Sequence, residues 1–127
     1  MKRILIVDDD LSMVEMMASV FEDEPGVQVF KAYDRERALQ MAAARPPTLV
    51  MLDKTPLGRD GFAVLRPLRR DRRTANSKVI LVTGMDGGGA EANVLKLGAD
   101  GFMTKPFSPF DLLAKDAELL HFDPVPA

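Results

Sequence analysis

Four short apolar runs recur along the chain, at Ile4 to Val7, Val27 to Phe30, Leu49 to Leu52 and Val79 to Val82, with a weaker one around Phe102 and Met103. Apolar runs without polar alternation are expected of strands buried on both faces of a parallel sheet. Between them the apolar positions fall at helical spacing. Leu11, Val14, Met17, Ala18 and Phe21 form one stripe, and Ala38, Leu39 and Ala42 a second. Phe62, Leu65 and Leu68 mark a third helix, Val94, Leu95 and Leu97 a fourth, and Phe110, Leu113, Ala117 and Leu120 a fifth. The order predicts five alternating strand and helix units, a doubly wound α/β sandwich around a parallel sheet.

Boundary residues agree with this pattern. Ser12 with Glu15 fits a capping box for the first helix, with Asp10 as a rival N-cap. Asp34 suits the start of the second helix, and Ser108 followed by Pro109 the start of the fifth. Pro67 falls inside the third helix and predicts a kink or early break, because proline has no amide hydrogen to donate. The closing "FDPVPA", with two prolines, reads as a frayed tail.

In open α/β sheets ligands bind beyond the carboxyl ends of the strands. Asp8 and Asp9 follow the first strand, Asp53 closes the third, Thr83 closes the fourth and Lys105 follows the fifth. The fold class alone therefore predicts that these residues share one edge of the sheet. Three carboxylates at one site repel each other, and burial raises their pKa unless a cation is present. With oxygen ligands and neither His nor Cys nearby, Mg²⁺ is favoured over zinc. Lys105 and the Thr83 hydroxyl would bind further phosphoryl oxygens, and Asp53 would be the nucleophile.

Composition narrows the setting. With 17 basic and 19 acidic residues the net charge is −2, so no global field favours nucleic acid or an anionic membrane. The absence of cysteine excludes disulfides and thiolate metal sites and makes the cytoplasm the default expectation. The apolar run in "MKRILIV" stops at Asp8, too short for a signal peptide, and no window approaches a membrane span.

The stretches "ILIVDDD", "LVMLD" followed by "GRDGFAVLRPLR", "VILVTG" and "LGADGFMTKPFSPFDLLAK" together resemble the receiver domains of two-component response regulators. The resemblance covers residues 2 to about 121 and implies a flavodoxin-like fold of strand order 2-1-3-4-5, with residues 1–121 as the receiver domain and 122–127 as a tail or the start of a linker. It implies that Asp53 is the phosphoacceptor, Asp9 a direct Mg²⁺ ligand, Asp8 a ligand acting mainly through water and the Thr55 backbone carbonyl the remaining protein ligand, with Mn²⁺ as a substitute ion. Thr83 takes the place of the switch hydroxyl, Lys105 that of the phosphoryl-binding lysine before a cis peptide at Pro106, and Phe102 that of the aromatic switch residue. The partners implied are a sensor histidine kinase or phosphotransfer protein, or a small phosphodonor, and a downstream output domain or protein. The output face would be the fourth helix, fifth strand and fifth helix. Such a domain is a switch with self-catalysed chemistry, not a turnover enzyme, and binds neither nucleic acid nor membrane itself.

Several residues depart from the family pattern. Pro56 stands three residues after Asp53, with Leu57 where the family commonly has proline, and Gly87 to Gly89 predict mobility at the start of the fourth helix. Glu91, Asp111 and Gly101 mismatch the charged pairs, Lys115 included, through which the winged-helix subfamily dimerises, so a monomer or a phosphorylation-dependent dimer is expected. Two other classes compete: a pseudo-receiver that signals without phosphate, and, because of "DKT" at Asp53 to Thr55, a haloacid-dehalogenase-type phosphotransferase. Arg66, Arg69, Arg70, Arg72 and Arg73 read as a solvated helix end, Met13, Met16 and Met17 as core and flank packing, and His121 as a surface residue. Lys54 is expected at the rim of the pocket.

Overall fold

Successive residues of a strand point to opposite faces, and in this chain both faces of the central strands are dry. In a computed structural model, which describes residues 2–53, 61–83, 98–104 and 110–114, the strands are β1 (Lys2–Val7), β2 (Val27–Ala32), β3 (Leu49–Asp53), β4 (Lys78–Thr83) and β5 (Gly101–Thr104). The side chains of 53, 61–63, 83, 102 and 104 lie outside that description. All pairings are parallel, in the order β2-β1-β3-β4-β5. Leu5, Val7, Val50, Leu52, Val79 and Leu81 face one core; Ile4, Ile6, Leu49, Met51, Ile80 and Val82 face the other. This double burial is why the runs lack polar alternation. On β2, an edge strand, Gln28 is exposed and only Ala32 is fully buried.

Among the described residues, α1 (Leu11–Glu22), α2 (Arg35–Ala44) and α3 (Gly61–Arg70) cover the faces. Val14, Met17, Ala18 and Phe21 of α1 are completely buried against one face, joined by Leu112 from a helical stretch at 110–114. Ala38 and Ala42 of α2 and Val64, Leu65 and Leu68 of α3 fill the other. Two ends of the predicted stripes stay outside the core. Leu11 is 64% exposed and Phe110 is 82% exposed, each at the first residue of its helical stretch. Met17 is buried, and Met13 and Met16 pack at the flank of the same core.

The rivalry at the start of α1 is resolved in favour of Asp10, whose carboxylate accepts from the amides of Ser12 (2.9 Å) and Met13 (3.3 Å). Glu15 reaches across to Lys31 on β2 instead of back to a cap. Asp34 caps α2 as expected, accepting from the Arg37 amide at 2.7 Å.

Pro67 does not end α3. The helix continues to Arg70, and the Pro67 carbonyl accepts from the Asp71 amide at 3.1 Å. Buried Leu68 lies just past the proline, its carbonyl accepting the Thr74 hydroxyl at 2.6 Å, so side-chain burial holds the turn that the missing donor weakens. The arginine cluster beyond it also departs from expectation. Arg66, Arg70 and Arg72 are exposed, but the Arg69 side chain is only 23% exposed and binds the backbone carbonyls of Ala75, Ser77 and Gly98 as well as Asp100. Arg73 pairs with Asp71 at 2.8 Å. The predicted fourth helix, the Gly87 to Gly89 segment, Ser108, Pro109, Glu91, Lys115, His121 and the tail lie outside the described residues.

Candidate functional site

The apolar run of β1 stops at Asp8, yet the backbone ladder continues one step, the Asp8 amide donating to the Ala32 carbonyl at 3.1 Å. The Asp8 side chain is fully buried, and its Oδ1 accepts from the Asp10 amide at 2.9 Å. That bond turns the chain out of the sheet, leaves Asp9 exposed at the bend, and delivers Asp10 to the cap of α1. Three consecutive aspartates thus have three different environments. Besides the ion chemistry expected of Asp8 and Asp9, Asp8 thus makes a turn that the sequence pattern does not predict, though an aspartate two residues before a helix cap is its signal.

Register brings the other strand ends to the same edge. Val7 pairs with Leu52, so the next residues, Asp8 and Asp53, follow on adjacent strands about 4.8 Å apart. Asp53 pairs with Val82, one residue before Thr83, and Thr83 pairs with Thr104, one residue before Lys105 in the chain. The backbones of Asp53, Thr83 and Phe102 are therefore located; their side chains, together with Lys54, Thr55, Lys105 and Pro106, lie outside the described residues.

Chemically, the described part of this edge is a buried carboxylate followed by an exposed one. Burial disfavours the charged form of a carboxylate, and a nearby cation offsets that cost. An all-oxygen donor set fits a hard divalent ion such as Mg²⁺ and lacks the nitrogen or sulfur ligands typical of zinc. Among the described side chains no group of three or more metal-ligating residues is assembled. Beside this edge, Lys31 of β2 bridges Glu15 (3.1 Å) and Glu22 (3.3 Å) of α1, and the Glu15 hydrogen bond leads in raising its pKa above the ordinary lysine value.

Among the described residues no helix is long and apolar enough to cross a membrane. The sequence pattern of the response regulator receiver domain matches residues 4–116. The chain is 38% identical over 120 residues to the response regulator PleD of Caulobacter vibrioides, covering 94% of this chain and 26% of that protein. It is 35% identical over 114 residues to the phosphate regulon transcriptional regulatory protein PhoB of Pseudomonas aeruginosa, covering 90% of this chain and 49% of the other. The chain thus spans about half or less of the length of these curated relatives. Among solved structures, a putative response regulator from Chloroflexus aurantiacus superposes with a TM-score of 0.85 at 28% identity, covering 94% of this chain and 98% of that one. The receiver domain of NtrX from Brucella abortus does so with a TM-score of 0.84 at 29% identity, covering 94% and 99%.

Proposed function

The chain belongs to the family of response regulator receiver domains, and from that premise we propose that it is a phosphorylation-dependent switch whose phosphoacceptor is Asp53. Receiver domains are signalling domains and are not generally classed as enzymes, and this membership displaces the haloacid-dehalogenase reading. The observation that carries the proposal is the sheet register, in which the ends of β1, β3, β4 and β5 bring Asp8, Asp53, Thr83 and Thr104 to one edge.

In this reading an Asp53 carboxylate oxygen attacks phosphorus as the phosphorus–nitrogen bond of a phosphohistidine, on a sensor kinase or phosphotransfer protein, breaks. The departing imidazole takes a proton. Water later attacks the acyl phosphate, releasing inorganic phosphate and restoring the carboxylate. Asp8, Asp9, Asp53 and the Thr55 carbonyl would hold Mg²⁺. When bound, the ion supplies positive charge against the transferring oxygens. Lys105 and the Thr83 hydroxyl take the remaining charge, by ion pairing and hydrogen bonding respectively.

Residues 1–121 form this unit in the proposal, and 122–127 a tail or linker. The covalent charge biases an equilibrium between two conformations, with Thr83 and Phe102 moving together and changing the face of the fourth helix, β5 and the fifth helix that an output domain or protein reads. The unit itself acts as a monomer or a phosphorylation-dependent dimer, away from nucleic acid and membrane, in the cytoplasm.

The test is incubation with phosphoramidate and Mg²⁺. The expected product is an acid-stable, base-labile adduct that fails to form with EDTA or in Asp53→Asn. A protein that takes no phosphoryl group from any donor yet still binds its partner would be a pseudo-receiver, and the proposal would fall.

A further inference from the structure

The strand that leads to Lys105 is the shortest of the described strands. β5 has four residues and, among the described strands, lies at the edge of the sheet and pairs with β4. Its first residue, Gly101, has no side chain to pack, and Met103 is its one described side chain in the core. In a sheet, slipping by one residue moves every side chain to the other face and displaces the strand by about 3.3 Å, and such slippage is common where the strand pattern is weak. A restraint outside the strand would help to fix which residue of β5 meets which residue of β4.

Such a restraint lies at the entry of β5, about 13 Å along the strand from its last residue, Thr104. Asp100 makes a closed pair with Val79: its amide donates to the Val79 carbonyl at 2.9 Å, and its carboxylate Oδ2 accepts from the Val79 amide at 2.8 Å. The side chain stands in for the backbone carbonyl of an ordinary ladder, so residue 100 is locked opposite residue 79, and Gly101 follows opposite Ile80. Arg69 holds the lock. Its Nη2 binds the same Oδ2 at 2.6 Å, its Nε donates to the Gly98 carbonyl at 2.8 Å, and its Nη1 donates to the carbonyls of Ala75 and Ser77. One guanidinium therefore ties the end of α3 to the entries of both β4 and β5. Gly98 adopts φ 102, a left-handed conformation that suits glycine, and this turn presents its carbonyl to Arg69.

From this geometry we infer that Arg69 and Asp100 are positioning residues for phosphoryl transfer: they set the β4–β5 register that brings Lys105 to the edge shared with Asp53. Neither approaches the site; they act through the strand. The inference rests on the reading of Asp53 and Lys105 above. Arginine is suited to the place because its planar fork donates in several directions at once, which lysine cannot reproduce.

Two measurements separate this inference from the reading it rests on. In backbone NMR of the whole chain without phosphodonor, the wild type should show cross-strand contacts between Leu81 and Phe102, with protected β5 amides. Arg69→Ala should weaken or shift those contacts and lower β5 amide protection about tenfold, while Arg66→Ala, at an exposed position on the same helix, should leave both unchanged. Asp100→Asn, which keeps an oxygen for the Val79 amide but removes the charge facing Arg69, is the milder variant and should give an intermediate effect. Unchanged register and protection in Arg69→Ala would overturn the inference, whatever the phosphorylation result. In phosphoramidate assays, Lys105→Ala and Arg69→Ala should each slow adduct formation about tenfold, and the double variant should be no slower than the slower single one. Multiplying effects would mean that the two residues act independently and would overturn the positioning role. A wild type that takes no phosphoryl group, or a Lys105→Ala that loses no rate, would instead overturn the reading of the site and the positioning role with it.

Discussion

Replacing Asp10 with alanine removes the cap of α1 while leaving its buried face intact. The carboxylate accepts two amide bonds, at 2.9 Å from Ser12 and 3.3 Å from Met13, the second being long. Loss of an N-cap of this kind costs about 1 kcal/mol. No acidic residue lies in the first turn of α1 and no basic residue in its last, so Asp10 is also the charge that complements the helix dipole, a contribution of about 0.3–1 kcal/mol at an exposed site. Asp10→Ala should therefore destabilise the fold by about 1–2 kcal/mol. Asp10→Asn keeps the acceptor and loses the charge, so its cost should stay below about 1 kcal/mol. Ser12→Ala should change stability by less than about 0.5 kcal/mol, since Ser12 is exposed and its amide, not its hydroxyl, takes part in the cap. Urea unfolding of the three variants, without divalent cations, reads these as shifts of midpoint at constant slope. A Ser12→Ala variant as costly as Asp10→Ala would refute the assignment and return the cap to the Ser12 and Glu15 box.

The remaining expectations test packing, the helical proline and pH. Phe21→Ala should cost about 3–5 kcal/mol in the same urea assay, because Phe21 is fully buried beside Val14, Met17 and Ala18. Pro67→Ala should stabilise by about 1–2 kcal/mol: it restores an interior helical donor, partly offset by a freer unfolded chain; a loss of stability would show that the proline ring, which lines a shallow cleft with Leu39 and Ala42, contributes more than the missing bond costs. Lys31 has a raised pKa, held first by Glu15 and then by Glu22, so it contributes fully below the ordinary value of 10.5 and its contribution is lost as pH climbs through the higher folded value. Lys31→Met should flatten that alkaline limb of a stability profile. Asp71 has a lowered pKa, chiefly through its hydrogen bonds from Arg73, so its contribution is present above 3.8 and lost as pH falls through the lower folded value. Asp71→Asn should remove that acidic limb, and an unchanged profile would count against the pair.

The architecture was legible because double burial leaves little choice: Ile4 to Val7, Leu49 to Leu52 and Val79 to Val82 are dry on both faces, and such runs admit no polar alternation. From the alternation of elements the shared edge of Asp8, Asp53 and Thr83 follows without any distance being known, while Lys105 lies outside the described residues. Less legible were effects that depend on tertiary partners. Pro67 opposes helix locally, and only the burial of Leu68 one residue later explains why α3 runs on. Arg69 sits among five arginines and looks like any of them; its role appears only when Ala75, Ser77, Gly98 and Asp100 converge on it. Leu112 and not Phe110 enters the core at the start of the last helical stretch, because the phase of a stripe is set by the sheet it meets.

Chemical trapping of the modified residue tests the central claim most directly. An aspartyl phosphate is reduced by borohydride to homoserine, so protein treated with phosphoramidate and Mg²⁺, reduced and then digested can be read by tandem mass spectrometry. The account predicts homoserine at position 53, absent when Mg²⁺ is withheld. Homoserine at Asp8 or Asp9 instead, or at no position while the protein remains folded, would contradict it.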